Sequence, residues 1–148
     1  MRNSEVCTRD VATVKRESSV TEAARVMRER HIGCVVVIES AASGFPVGIV
    51  TDRDLVVEVL APGIDPGAVT VGDIMSMPLV TARDDGDPLR TLKVMRIRGI
   101  RRIPLVDEEG RLAGIASLDD LLEVAGDALF DAVGAISSER AMESLRRR

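Results

Sequence analysis

Apolar residues fall at Val20, Ala23, Ala24 and Met27, the i, i+3, i+4, i+7 stripe of a half-buried helix. A largely β-branched run follows at residues 34–38, then a Gly-containing turn, then a second apolar run at 47–50. These two runs read as strands. Residues 52–60 read as another helix, and residues 12–14 as a short extended piece ahead of the first helix. The succession then returns. Ala24, Val26 and Met27 meet Leu92, Val94 and Met95 at an offset of 68, as Thr13 meets Thr81 and the run 35–38 meets 103–106. Gly48-Ile49-Val50-Thr51-Asp52-Arg53-Asp54-Leu55 meets Gly114-Ile115-Ala116-Ser117-Leu118-Asp119-Asp120-Leu121 at an offset of 66. The first turn, 39–44, is two residues longer than the second, 107–110. A length change confined to a turn is what a duplication tolerates. The predicted order is β-α-β-β-α, twice, with the second copy's elements at 80–82, a helix through Leu92 and Met95, 103–106, 112–116 and 118–124.

This pattern divides the chain into a first unit at 6–62, a Pro- and Gly-containing linker at 63–69, a second unit at 70–126 and a tail at 127–148. Leu129, Ala132, Val133 and Ile136 keep helical spacing in the tail, which reads as a further helix fraying toward Arg146, Arg147 and Arg148. A unit of about 60 residues buries little surface alone, so the copies are expected to pack on each other. The fold class is mixed α+β (α/β) built from a tandem repeat.

Composition narrows the function. With 45% hydrophobic and 30% charged residues, the 148-residue chain has the make-up of a globular domain. No apolar run approaches the roughly 20 residues of a membrane helix, and the N-terminus lacks a signal-peptide stretch, so a cytoplasmic location and no membrane partner are expected. A net charge of -4 and only two aromatics, Phe45 and Phe130, argue against nucleic acid as a partner. Cys7 and Cys34 fit no metal or redox spacing and read as reduced thiols, Cys34 in a buried strand. His31 aligns with Gly99 and reads as a polar helix-end residue. Met27, Met75, Met77 and Met95 read as core or linker residues.

The paired Gly-hydrophobic-x-Thr/Ser-x-x-Asp motifs, together with Gly99-Ile100-Arg101-Arg102-Ile103-Pro104-Leu105-Val106-Asp107, resemble the cystathionine-beta-synthase-type (CBS) domain pair, or Bateman module, over residues 6–124. The resemblance implies two repeats about a pseudo-twofold axis, with two clefts between them that accept adenosine-containing ligands. It also implies a homodimer. No other domain is recognised in this sequence, so output is expected to pass to a separate effector protein.

An adenosine phosphate presents a ribose diol that a carboxylate accepts. Its phosphate seeks a helix start, a hydroxyl and a cation. Its base seeks an apolar slot. Thr51 and Ser117 sit where a strand turns into a helix, and Asp54 and Asp120 follow one turn on. By the family's pattern the two Asp residues hold ribose, Thr51 and Ser117 contact ribose or phosphate, and Thr13, Val36, Thr81 and Pro104 flank the base. Arg101 and Arg102 replace Gly33 and Cys34 of the first copy, so Arg102 is expected to reach phosphate and one cleft to bind more tightly. AMP, ADP or ATP leads as regulatory ligand, with NAD or S-adenosylmethionine open; no cofactor is required.

Other readings stay open. Thr-x-x-Asp and Ser-x-x-Asp also have the form of helix capping boxes, and one residue can cap and bind. Arg98, Arg101 and Arg102 can form a solvated basic face. The chain can instead be an interaction or dimerisation module with degenerate clefts. Catalysis is disfavoured: Asp52, Asp54, Asp119 and Asp120 lie at helix starts, where acids are favoured anyway, and no Walker loop or nucleophile elbow is present.

Overall fold

In the computed structural model, which describes residues 1–146, the run Cys34–Ile38 (β2) is the central strand of a three-stranded sheet. It pairs in parallel with Thr13–Lys15 (β1) and antiparallel with Pro46–Thr51 (β3). The second copy repeats this arrangement: Arg102–Val106 (β5) lies between parallel Ala82–Arg83 (β4) and antiparallel Leu112–Ser117 (β6). Registers match as well, with Cys34 opposite Thr51 and Arg102 opposite Ser117. The mixed α+β repeat read from the sequence is therefore the fold.

The helices follow from their caps. Val20–Arg30 (α1) starts at Ser19, whose hydroxyl accepts the Glu22 N–H at 3.1 Å. Its counterpart Pro88–Arg98 (α4) starts at Asp87, which accepts the Leu89 N–H at 2.9 Å, with Pro88 at the first helical position. The helix after β3 begins as one α turn, Asp52–Asp54 (α2), and continues with wider π spacing over Leu55–Leu60, where the Ala61 N–H reaches the Val56 carbonyl at 2.9 Å. Val71–Ile74 (α3) is one short turn between the copies.

Leu118–Arg146 (α5) is one helix of 29 residues, which corrects the expected division into residues 118–124 and a separate tail helix. Gly126 and Gly134 keep helical φ, and no proline follows Pro104. A glycine costs a helix about 1 kcal/mol but removes no hydrogen bond, so it weakens the helix without ending it. Arg147 and Arg148, named above in the fraying end, lie outside the described residues.

The segment preceding each copy docks on the other copy. Asn3 and Ser4 donate their N–H groups to the carbonyls of Gly86 and Asp84, and Thr8 bridges Ile115 of β6. Symmetrically, Val71 and Gly72 donate to Ser18 and Arg16, and Ser76 bridges Ile49 of β3. Val71 and Met75 thereby complete the first core, with Ala12, Val14, Ala23, Met27, Val35, Val37 and Val50. Val6 and Cys7 pack against the second, formed by Met95, Ile103, Leu105, Ala116 and Leu121. Two glycines make the exchange possible. A Cβ on Gly48 would collide with the Met75 side chain, and one on Gly114 would lie 2.7 Å from the Cys7 sulfur.

One polar pair breaks the symmetry of the cores. Asn3 is buried where its counterpart at offset 68 is Val71, and it bonds Thr91, whose counterpart is Ala23. The Asn3 amide donates to Thr91 Oγ1 at 2.9 Å and to the Arg83 carbonyl at 2.7 Å. Removing one partner strands the other, at a cost of about 1–3 kcal/mol. Asn3→Val and Thr91→Ala should therefore each lower stability by that amount, while the double substitution, which imports the apolar pair of the first core, should cost less than the sum. Urea midpoints of the four proteins test this; strict additivity is the contrary result.

Both α1 and α4 end in the left-handed region, with His31 at φ 53° and Gly99 at φ 65°. The following N–H, of Ile32 or Ile100, closes back on Met27 or Met95 at 3.0 and 3.1 Å. His31 thus occupies the expected helix end, in a conformation that disfavours a Cβ. His31→Gly should raise stability by about 0.5–1 kcal/mol once the extra unfolded-state freedom of glycine is set against relieved strain. An unchanged or lowered melting temperature would contradict this account.

Candidate ligand-binding clefts

Two clefts lie between the copies, and each is built from both. Cleft A, of about 250 Å³, takes Asp10, Val11, Ala12, Ile32 and Val36 from the first copy and Ile115, Ser117 and Asp120 from the second. Cleft B, of about 410 Å³, takes Pro78, Leu79, Val80, Ile100 and Pro104 from the second copy and Ile49, Thr51 and Asp54 from the first. The offsets 68 and 66 map one set onto the other residue by residue. The two Asp residues are therefore separated, one to each cleft, and each faces the apolar wall of the opposite copy.

Val36 and Pro104 are buried in the central strands and form the floors of clefts A and B. Thr13 and Thr81 are corrections. Both side chains are exposed and neither lines a cleft; Thr81 instead borders a shallow surface depression with Arg83 and Arg90. The backbone reaches the cleft just before the strand begins, so Val11 and Ala12, and Leu79 and Val80, hold the positions assigned to the threonines. Strand alternation turns Thr13 outward between buried Ala12 and Val14.

The Thr-x-x-Asp and Ser-x-x-Asp motifs do form capping boxes. The Thr51 N–H donates to Asp54 Oδ2 at 2.8 Å, and the Asp54 N–H donates to Thr51 Oγ1 at 3.2 Å. The Ser117 N–H donates to Asp120 Oδ2 at 2.8 Å, and the Asp120 N–H to Ser117 Oγ at 3.1 Å. In both boxes the work falls on Oδ2. A carboxylate has about four acceptor positions, so capping through Oδ2 leaves Oδ1 outside the box on a residue that lines the cleft. The boxes differ in one bond. The Ser117 hydroxyl donates to Asp120 Oδ2 at 2.7 Å, whereas no such bond ties Thr51 Oγ1 to Asp54 among the described residues.

Charge divides the clefts further. Arg53, Arg101 and Arg102 line cleft B with Asp52 and Asp54. Arg101 is exposed and reaches Asp119 at 3.8 Å. Cleft A is lined by Arg102, Asp10 and Asp120, and Asp10 is paired with Arg30. Burial raises the Cys34 thiol above its ordinary value, and nearby Arg102 opposes that shift. Cys34, His31 and Gly33 also line cleft A; the sequence reading had assigned none of them to a site. Their correspondence with Arg102, Gly99 and Arg101 was the available signal. No group of three or more His, Cys, Asp or Glu residues suited to a metal occurs among the described residues, and no described helix is long and apolar enough to cross a membrane.

Comparison with known proteins agrees with this geometry. The chain is 42% identical over 120 residues to an uncharacterised protein of Methanopyrus kandleri, covering 81% of this chain and 60% of that one. It is thus matched to less than two thirds of that relative's length. It is 35% identical to the CBS domain-containing protein YhcV of Bacillus subtilis, covering 82% of this chain and 88% of that protein. Among solved structures, an uncharacterised conserved protein from Pyrococcus horikoshii superimposes with a TM-score of 0.74 at 33% identity, covering 84% of this chain and 91% of that one. The profile of the CBS domain matches residues 4–61 and again 71–127. With two profile matches and two interlocked copies of one unit, the chain belongs to the CBS domain family, as a tandem pair.

Proposed function

We propose that this protein is a non-catalytic regulatory module whose clefts bind an adenine nucleotide, AMP, ADP or ATP, in the cytoplasm, and which signals to a separate effector protein. CBS pairs are regulatory ligand-binding domains; the identity of the ligand is this reading's addition. One observation carries it: in each cleft a half-buried carboxylate with a spare oxygen stands at a helix start, facing an apolar wall from the other copy whose floor, Val36 or Pro104, is buried. That is the arrangement a ribose diol joined to a purine requires. Because each ligand would touch both copies, binding would stabilise one relative placement of the two. A ligand signals only through such a difference in affinity between states.

A thermal-shift series tests this. A nucleotide at about 100 times its dissociation constant adds about 2.7 kcal/mol, or a rise of about 5–10 °C for a chain of this size. AMP, ADP or ATP should produce that rise; NAD and S-adenosylmethionine are comparison arms. Asp54→Asn and Asp120→Asn, which preserve an acceptor for the cap, should each reduce it. No rise with any adenosine compound at millimolar concentration would reject the reading.

A second role, self-association, is favoured by α5. Beyond Gly126 the described side chains of this helix are exposed, Leu129 at 67% and Phe130 at 79%. Leu122, Leu129, Val133 and Ile136 lie along one exposed stripe. Asp119, Asp120, Glu123, Asp127 and Asp131 crowd the start of α5, while Glu139 and Glu143 alternate with Arg140 and Arg146 toward its end. A pair of such helices from two copies buries the stripe, and at the acidic start of α5 it avoids like charge best when the helices run antiparallel. The full chain should sediment as a dimer and a chain ending at Gly126 should shift toward monomer. A monomeric full chain at tens of micromolar would count against self-association.

A further inference from the structure

Arg102 is the one described residue that lines both clefts. It belongs to cleft B by position, as the start of β5 beside Ile100 and Pro104. Its appearance in cleft A has no symmetric partner. The residue that would reciprocate, at offset 68, is Cys34, and Cys34 does not reach cleft B. The guanidinium passes close to Gly33 of the first copy, where a Cβ would lie 3.5 Å from Arg102 Nη2, an ordinary contact, and 3.1 Å from Asp52 Oδ2.

The charge of Arg102 is uncommitted. Among the described residues no carboxylate lies within ion-pair distance of its guanidinium and no protein group hydrogen-bonds that side chain, although the residue is half-buried. By contrast, Arg83 is held by Asp85, Arg101 by Asp119 and Arg30 by Asp10. The two clefts draw on this cation unequally. Cleft B also has Arg53 and Arg101, and a Thr51 hydroxyl that accepts the Asp54 N–H but donates no hydrogen bond to the Asp54 carboxylate. Among the described residues Arg102 is the one Lys or Arg lining cleft A, beside His31, and the Ser117 hydroxyl there is engaged by Asp120. A guanidinium that closes on a phosphate in one cleft turns its donor face away from the other.

We infer that Arg102 is a shared phosphate receptor that lets only one of the two clefts hold a phosphorylated ligand at a time. The inference rests on the adenine-nucleotide reading and adds its regulation. The first phosphate enters cleft B and captures Arg102. Cleft A then presents the Asp120 carboxylate and an apolar wall without a free cation, so it repels a second phosphate but still accepts an adenosine that carries none. One chain therefore holds a mixed pair, one phosphorylated and one unphosphorylated adenosine ligand. Phosphate occupancy of either cleft weakens phosphate binding in the other, and that coupling is reciprocal.

Isothermal titration of the full chain with AMP and with adenosine tests this. AMP should bind in two steps, the second about tenfold or more weaker than the first, within the usual range of coupling between sites. On protein preloaded with one equivalent of AMP, adenosine should fill the remaining cleft more tightly than a second AMP does. Arg102→Gln should weaken the first AMP step and so narrow the gap between the two, a remainder persisting because cleft B keeps Arg53 and Arg101, and Arg102→Lys should narrow it less. Two AMP steps of equal affinity in the unaltered protein would overturn the inference while leaving the nucleotide reading in place. So would an unchanged gap in a folded Arg102→Gln protein. If neither AMP nor adenosine binds, the nucleotide reading itself fails and takes the inference with it. The preloading experiment needs no variant, so a misfolded substitution does not spare the inference.

Discussion

The structure depends on a reciprocal exchange in which the chain ahead of each copy finishes the core of the other. A unit of about 60 residues has too little interior to stand alone. Here Val71 and Met75 are buried in the first core, and Val6 and Cys7 pack on the second. Gly48 and Gly114 give up their side chains so that Met75 and Cys7 can lie against β3 and β6. The exchange binds the copies by backbone hydrogen bonds as well as by apolar burial, through Asn3 and Ser4 at one end and Val71 and Gly72 at the other. The clefts inherit their geometry from it, since their apolar walls come from one copy and their capping-box carboxylates from the other.

On that symmetric scaffold, chemistry has diverged at a few matched positions. Val71 and Ala23 correspond to Asn3 and Thr91 in the cores, His31 corresponds to Gly99 at the helix ends, and Gly33 and Cys34 correspond to Arg101 and Arg102 at the clefts. The backbone tolerates these differences because each is locally compensated. Asn3 and Thr91 satisfy each other, and the left-handed turn closes with the same Schellman-type bond whether His31 or Gly99 forms it. At the clefts the differences are not compensated but additive. Cleft B is larger, richer in cations and has the less engaged hydroxyl.

The capping boxes show how a structural and a ligand role coexist on one side chain. Helix starts concentrate N–H groups, and a carboxylate placed there is held in a fixed rotamer by its own backbone. For Asp54 and Asp120 that restraint fixes where the second oxygen sits relative to the apolar wall across the cleft. A fixed acceptor loses less freedom when a diol arrives.

What the sequence determined by itself was local and periodic. The duplication, the β-α-β-β-α order, the buried strands around Val36 and Ile103, and the two Thr/Ser-x-x-Asp boxes follow from side-chain spacing and turn chemistry within short windows. The tertiary structure decided what depends on residues far apart in the chain. It sent each leader segment to the opposite copy and paired each carboxylate with the other copy's wall. It put Val11, Ala12, Leu79 and Val80 at the clefts in place of Thr13 and Thr81, and carried α5 through Gly126 without a break. It also brought Arg102 of one copy past Gly33 of the other. Spacing reports which residues share a face of one element. It is blind to which element lies opposite, because that is set by how two incomplete cores close on each other.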